Sequence, residues 1–97
     1  VQQSESPLYH LQLLTEMHRF MGKSGFAHRQ TLHFPQPVYP SGWWSCTMAS
    51  KSTIGEPLEA AAKESPFDTL YYSPEIHRGA LALPPFVQQA LANAAEA

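Results

Sequence analysis

The 97 residues of this chain allow one small domain with a single modest core. Six Lys and Arg against eight Asp and Glu give a formal charge of −2, so no basic surface is available for nucleic acid or an anionic membrane. No apolar run reaches the roughly 18–20 residues that a membrane-spanning helix needs, and the opening VQQSESP lacks the basic and apolar regions of a signal peptide. We therefore expect a soluble, cytoplasmic protein that binds neither nucleic acid nor a membrane.

The first predicted element is an amphipathic helix. Ser6 followed by Pro7 is typical of a helix N-cap and first helical position. Apolar residues then recur at steps of three and four, and these are Leu8, Leu11, Leu14, Met17, Phe20 and Met21, with Leu13 beside them. This spacing predicts about four helical turns. We expect the helix to end between Gly22 and Gly25.

Two alternating runs, residues 26–34 and 43–49, follow the helix and predict an antiparallel hairpin. The first run ends at Pro35 and Pro37, which cannot donate a hydrogen bond to a neighbouring strand. The predicted connection is a long proline-rich loop with Tyr39 at its end. Alternation places successive side chains on opposite faces of the hairpin.

A tight turn is predicted at Pro40, Ser41 and Gly42, because proline fixes φ and glycine tolerates a positive φ. Trp43 and Trp44 come directly after it. Their rings should lie on opposite faces, so one of them can form an aromatic wall together with a neighbouring tyrosine, and such a wall suits an ammonium group. The alternative is that one tryptophan belongs to the core and the other covers the sheet edge.

The second half of the chain has weaker patterns. Residues 56–64 are rich in alanine and predict a short surface helix. The segment from residue 69 should start extended, turn at Ser73 and Pro74, and end in a helix that begins near Pro84 or Pro85. The residues expected to face inward on that last helix are Phe86, Val87, Ala90 and Leu91. Two strands alone are marginally stable, which suggests a piece of a larger fold.

Metal and nucleophile chemistry find little support in the sequence. The five histidines match no zinc-binding spacing, so we expect no metal site. Cys46 lies within an alternating strand pattern, where a small buried thiol is the usual occupant. Ser41 has no nucleophile elbow around it and is better explained by turn chemistry.

Two stretches in this order, YPSGWWSCTMASK at residues 39–51 and LYYSPEIHRGALALPPFVQQAL at 70–91, resemble the C-terminal third of the spermidine synthase (polyamine aminopropyltransferase) family. QSES, residues 3–6, is a weaker match. The resemblance implies an α/β fold, namely the C-terminal part of a methyltransferase-like, Rossmann-like doubly wound sheet. This chain would contribute an amphipathic helix, an antiparallel strand pair and a C-terminal helix. Residues 1–97 would then be part of a catalytic domain rather than an independent one.

The resemblance also implies a reaction, in which putrescine takes the aminopropyl group of decarboxylated S-adenosylmethionine to give spermidine and methylthioadenosine. Decarboxylated S-adenosylmethionine is a co-substrate, and no cofactor is implied. Gln3 would hydrogen-bond a nitrogen of the diamine, Tyr39 would contact the same amine through its hydroxyl, and Trp44 would line the methylene chain and set its length. The residues implied as pocket or turn support are Pro40, Ser41, Gly42 and Trp43. Packing or interface roles are implied for Tyr71, Tyr72, His77 and Arg78.

The family's nucleotide-binding loop, ribose-binding acid and proton acceptor would all lie upstream of Val1. No catalytic residue is therefore expected within these 97 residues, and the isolated chain should be inactive. The implied partners are the N-terminal portion of the same enzyme, in one polypeptide or as a separate chain, a small diamine, and further copies in a dimer or tetramer. Two alternatives remain open. One is a same-fold enzyme with another amine specificity, such as a longer-polyamine synthase or an amine methyltransferase, and the other is a non-enzymatic interaction domain.

Overall fold

A computed structural model describes residues 1–55 and 63–96. Within these ranges the chain is a mix of strands and helices in the order β1 (Gln2–Gln3), α1 (Leu11–Lys23), β2 (His28–Pro35), β3 (Trp43–Ser50), α2 (Pro74–Leu81) and α3 (Pro85–Glu96). The strands form one antiparallel sheet in the order β1-β3-β2. The coarse α/β prediction is confirmed. Most of the predicted surface helix at 56–64 lies outside the described residues, and among those described no helix is long and apolar enough to span a membrane.

The predicted cap at Ser6 is present, but it closes a single turn ahead of the regular helix. Ser6 Oγ accepts the backbone N–H groups of Leu8 at 3.2 Å and Tyr9 at 3.1 Å. In return, His10 Nδ1 accepts the backbone N–H of Ser6 at 3.1 Å. This reciprocal arrangement resembles a capping box with a histidine in place of the usual Glu or Gln. Helix α1 then begins at Leu11 and ends at Lys23, within the predicted limits.

The predicted hairpin is confirmed, with β2 and β3 paired over their full length. Phe34 lies opposite Trp44, and Thr31 lies opposite Thr47. Because directly opposite residues share a face in an antiparallel pair, the aromatic pair and the threonine pair lie on opposite sides of the sheet. The backbone N–H of Gln36 donates to the carbonyl of Gly42 at 2.8 Å and closes the connecting loop.

Strand β1 was not predicted. Its two residues pair with β3, with Gln2 opposite Thr47 and Gln3 opposite Cys46. Two glutamines carry no hydrophobic alternation, so no strand signal exists in the sequence there. The pairing nevertheless fixes which face each glutamine occupies.

The sequence-based expectation of a turn at Ser73 and Pro74 is wrong, because these residues begin helix α2. Ser73 Oγ accepts the backbone N–H of Ile76 at 3.1 Å, and Pro74 occupies the first helical position. The helix has only eight residues, too few for its apolar spacing to stand out. The same serine and proline chemistry starts both turns and helices, so the dipeptide alone does not distinguish them.

The buried core lies where α1 and α3 pack together beside the sheet. Leu14 of α1 and Val87 of α3 are 0% exposed, and Ala94 is 4% exposed. Helix α3 begins at Pro85 as predicted. The prediction that Phe86 faces inward is wrong, since its side chain is 46% exposed. It lies in the first turn, where its ring lies against Trp43 at the start of β3, with centroids 6.2 Å apart.

Candidate functional site

The structure brings Gln3, Tyr39 and Trp44 together on one face of the sheet. The indole N–H of Trp44 donates to Gln3 Oε1 at 3.1 Å. The ring of Tyr39 lies over Trp44 with centroids 4.5 Å apart and planes tilted by 45°. Trp44 is 8% exposed and Tyr39 is 43% exposed. The three side chains therefore form a wall with an indole at its base and an amide and a phenol at its edges.

Strand register explains why Gln3 meets Trp44, which lies 41 positions later in the chain. Gln3 pairs opposite Cys46, and Cys46 shares its strand face with Trp44, two residues away. Tyr39 reaches the same place from the loop, through a turn closed by the Gly42 N–H donating to the carbonyl of Tyr39 at 3.0 Å. The site is thus assembled from β1, β3 and the loop before β3.

The turn predicted at Pro40, Ser41 and Gly42 is confirmed, and it is strained. Ser41 has a φ of 75° and Gly42 a φ of 64°, and the first of these values is uncommon for a residue that carries a Cβ. Hydrogen bonds hold the serine there. Its Oγ lies 2.9 Å from Ser6 Oγ and donates to the carbonyl of Trp43 at 3.0 Å. The turn below Tyr39 is thereby tied to the cap that precedes helix α1.

Trp43 lies on the opposite face from Trp44, as the alternation predicts. Its indole N–H donates to His33 Nδ1 at 2.9 Å, and the rings of Trp43 and His33 meet edge to face. His33 Nε2 in turn donates to the carbonyl of Ala82 at 3.1 Å. Trp43 therefore links the sheet to the connection between α2 and α3, and it takes no part in the aromatic wall.

The same face as Trp43 carries a chain of buried hydroxyl groups that sequence reasoning missed. Its members are at most 8% exposed. In order, the bonded atoms are His18 Nε2, Thr31 Oγ1, Thr47 Oγ1, Ser4 Oγ and Ser45 Oγ, separated by 2.6, 2.8, 3.0 and 2.7 Å. We call this set the hydroxyl chain. The signal in the sequence was three hydroxyl residues on one face of the predicted hairpin, Thr31 of β2 and Ser45 and Thr47 of β3.

The hydrogen bonds of the hydroxyl chain run in one direction. Each hydroxyl has a single hydrogen to donate. Ser45 donates to the carbonyl of Glu5 at 2.8 Å, and Thr47 donates to Ser4, so each remaining hydroxyl must donate to the next one toward Glu5. At the far end, His18 must therefore donate from Nε2. This assigns the proton of the neutral ring to that nitrogen.

Burial, followed by the positive charge of Arg29, lowers the pKa of His18 from 6.5 to about 4. Arg29 Nη1 donates to the backbone carbonyl of His18 at 2.9 Å, so the positive charge lies beside this residue. His18 is therefore neutral near pH 7. A neutral ring suits its place at the start of a chain of uncharged groups.

Because the pKa of His18 is lowered in the folded chain, we expect the protein to become less stable as the pH is lowered. The unfolded chain binds a proton at His18 near pH 6.5, whereas the folded chain does so only near pH 4, so stability is complete above pH 6.5 and is lost as pH drops from there to about 4. We expect the free energy of unfolding to fall by about 2 kcal/mol over this range, allowing for partial solvent screening of the His18 charge. Urea unfolding followed by tryptophan fluorescence at several pH values measures it. His18→Gln keeps an N–H donor without titrating, and an equally steep pH profile in this variant would contradict the assignment.

Glu5 and His10 lie beside the aromatic wall, although no pattern in the sequence predicts this position for them. The His10 ring meets Trp44 edge to face, with centroids 6.1 Å apart and planes at 80°. Glu5 Oε2 lies 3.9 Å from His10 Nδ1. Glu5 also has a φ of 69°, a second left-handed backbone position next to the wall.

Cys46 and the possible metal-ligating side chains can be assessed over the described part of the chain. Cys46 is half-buried, and burial raises the pKa of its thiol, which disfavours the reactive thiolate form. In the ranges 1–55 and 63–96, no three His, Cys, Asp or Glu side chains are grouped so that they could hold a metal ion. The chemistry of the site is that of amide, phenol, indole and carboxylate groups.

Comparison with known proteins points to one family. A family model described as "Spermine/spermidine synthase domain" matches residues 1–57. The polyamine aminopropyltransferase of Methylococcus capsulatus is 54% identical over 91 residues, which cover 94% of this chain and 32% of that protein. The polyamine aminopropyltransferase of Xanthomonas euvesicatoria is 55% identical over 93 residues, covering 94% and 33% respectively.

Solved structures give the same result. Spermidine synthase from Thermotoga maritima superimposes with a TM-score of 0.82 at 29% identity, covering 94% of this chain and 33% of that one. A spermidine synthase in complex with the transition state analogue AdoDATO also gives a TM-score of 0.82 at 29% identity, covering 94% and 31%. The chain thus spans about a third of the length of the proteins it matches.

Proposed function

This chain belongs to the spermine/spermidine synthase domain family, and from that membership we propose that it is the C-terminal portion of a polyamine aminopropyltransferase. The proposed reaction transfers the aminopropyl group of decarboxylated S-adenosylmethionine to putrescine. A primary amine attacks the methylene carbon beside the sulfonium, the carbon–sulfur bond breaks, and spermidine, methylthioadenosine and a proton result. The structural observation that supports this proposal is the wall formed by Gln3, Tyr39 and Trp44.

Each residue of the wall has a role that follows from its chemistry. The Trp44 indole, almost fully buried, offers an apolar surface to the methylene chain of the diamine and attracts its ammonium groups. Its N–H holds the Gln3 carbonyl oxygen at 3.1 Å, which orients the Gln3 amide. Tyr39 supplies a hydroxyl at the rim. Orienting a neutral amine in line with the carbon–sulfur bond is the main requirement of such a displacement.

The proton acceptor and the nucleoside site are proposed to lie in the remaining two-thirds of the enzyme, which also completes the sheet. We propose that β1, β3 and β2 are the antiparallel edge of a doubly wound, Rossmann-like sheet, and that residues 1–97 are part of one catalytic domain. Support comes from exposed apolar side chains on and before α1, such as Tyr9 at 62% and Phe20 at 63%. Such side chains suit contact with further protein. The proposed assembly is a cytoplasmic homo-oligomer.

A chimera tests the function directly. In it, this chain replaces the matched C-terminal third of the Methylococcus capsulatus polyamine aminopropyltransferase. We expect the chimera to release methylthioadenosine from decarboxylated S-adenosylmethionine with putrescine, and the 97-residue chain alone to release none. Two parallel assays identify another specificity: one replaces putrescine by spermidine as the acceptor, and the other supplies S-adenosylmethionine as the donor and detects methylation of an amine. A chimera that melts cooperatively and yet turns over no amine would contradict the proposal.

A further inference from the structure

A cavity of about 610 Å³ lies beside β2, apart from the aromatic wall. Arg29 and Thr31 of β2 and His18 of α1 line it, and none of the three residues of the wall does. Arg29 and Thr31 are two positions apart and so point to the face of the sheet that carries the hydroxyl chain, whereas Trp44 points to the other face. A volume of this size is typical of a site for a small molecule.

Arg29 is held in the lining of the cavity by the backbone of α1. Its Nη1 donates to the carbonyl of His18 at 2.9 Å. The guanidinium passes directly over Gly22, where an added Cβ would collide with Nη1. Glycine at this position therefore leaves the space that the guanidinium occupies, and the charged group is fixed in place against the helix.

The positive charge of Arg29 has no counter-charge in the described part of the chain. None of the acidic side chains in residues 1–55 and 63–96 forms an ion pair with it. The side chain is half-buried, and a partly desolvated charge without a partner is unfavourable. Its field also reaches His18, whose pKa it helps to lower. An anion bound in the cavity would supply the missing negative charge.

The rest of the lining narrows the chemistry of that anion. No described lining residue is acidic, and those from α2, α3 and the connection between these helices are all apolar, namely Leu81, Leu83, Leu91 and Ala92. A guanidinium pairs with a carboxylate through two parallel hydrogen bonds. Because one arginine balances one negative charge, a carboxylate with an apolar body fits better than a phosphate group, which carries about −1.5 to −2 near pH 7.

We propose that this cavity is a second ligand site, which binds a small organic carboxylate with its two oxygens on Arg29 and its apolar body against Leu83 and Leu91. The aromatic wall attracts cations, so the two sites differ in the charge that they accept. The sheet order β1-β3-β2 places β2 farthest from β1, the strand beside which the rest of the sheet is proposed to lie. We therefore expect the cavity to stay open in the longer protein, and its ligand is independent of the diamine reaction.

Fluorine NMR titration of the chimera measures this binding. The probe is para-trifluoromethylphenylacetate, and its amide, which has the same shape without the charge, is the comparison ligand. We expect the carboxylate to bind more tightly than the amide. Arg29→Gln should raise the dissociation constant of the carboxylate roughly tenfold to hundredfold, the range for lost hydrogen bonds to a charged group, and leave that of the amide unchanged. Lys63→Gln, at an exposed lysine that does not line the cavity, removes the same charge and should change neither value.

A second pair of variants tests the cavity without removing Arg29. Leu83→Glu places a carboxylate of the protein itself on the lining, where it should pair with Arg29 and weaken binding of the carboxylate probe roughly tenfold or more. Leu83→Gln introduces a side chain of the same size as glutamate but without its charge. It should bind the probe as tightly as the parent chimera does.

The possible results separate this inference from the proposed function. Equal binding of the carboxylate and the amide would overturn it, since the cavity would then accept an apolar body without regard to charge. An unchanged dissociation constant in Arg29→Gln, or equal binding by the two Leu83 variants, would overturn it as well. A chimera that turns over putrescine but binds no carboxylate removes this inference and leaves the proposed function standing. Binding that depends on Arg29 in a chimera without putrescine turnover removes the proposed function alone.

Discussion

Replacing Trp44 by alanine in the chimera is expected to lower kcat/KM for putrescine by roughly a hundredfold. The substitution removes the apolar base of the wall, the N–H that orients Gln3, and the ring under Tyr39. A lost aromatic pair and the apolar surface no longer offered to the methylene chain together cost about 3 kcal/mol, which corresponds to that factor. Methylthioadenosine release over a range of putrescine concentrations measures it.

The adjacent tryptophan provides the control. Trp43→Ala removes an indole of the same size from the opposite face, where it bonds His33, and should lower stability while leaving the KM for putrescine unchanged. Both variants are assayed with diamines of different lengths. We expect Trp44→Ala to broaden the preferred length and Trp43→Ala to leave it as it is. A length preference untouched by Trp44→Ala would remove Trp44 from the proposed pocket.

The second large effect is expected at Thr47, in the middle of the hydroxyl chain. Thr47→Val conserves shape but removes the hydroxyl that donates to Ser4 at 3.0 Å and accepts from Thr31 at 2.8 Å. Both neighbours are fully or almost fully buried, and each is left without one partner. We expect the free energy of unfolding to fall by about 2–6 kcal/mol, since each of the two groups costs about 1–3 kcal/mol.

Urea unfolding of the chimera, followed by circular dichroism, measures this loss. Thr47→Ser is the matched control, because it keeps the hydroxyl and gives up one methyl group, for about 1 kcal/mol. The variant with the smaller side chain should therefore be the more stable of the two. The opposite ranking would show that packing around the methyl group, and not the hydrogen bonds, is what Thr47 contributes.

The parts of the fold that could be predicted from the sequence are those with a periodic signal. Eight-residue strands alternate long enough to reveal their faces, and so Trp43 and Trp44 were separated correctly. The turn at Ser41 was recognised from its neighbours, although the positive φ falls on serine as well as on glycine. Strand β1 and helix α2 were missed because two residues and eight residues respectively show too little periodicity.

The candidate site was predictable in part for a related reason. Tyr39 and Trp44 lie five residues apart, and turn chemistry plus alternation were enough to bring them together. Gln3 was assigned from the family resemblance, since its proximity to Trp44 depends on a pairing of β1 with β3 that leaves no pattern in the sequence. Glu5 and His10 could not be placed, because their positions depend on a strained backbone and on a reciprocal cap.

Two tryptophans in succession leave β3 open to an error in its alignment with β2. Suppose that β3 slipped by one residue, so that Trp43 took the position of Trp44. The site would still contain an indole, and its aromatic contacts would change little. The same slip would bring Trp44 and Cys46 to the positions where Ser45 and Thr47 now complete the hydroxyl chain. Buried threonine and serine partners would then lose their hydrogen bonds, at a cost that the aromatic side cannot offset. The hydrogen bonds on the polar face of the hairpin, rather than the contacts on its aromatic face, therefore determine the strand register that places Trp44 in the site.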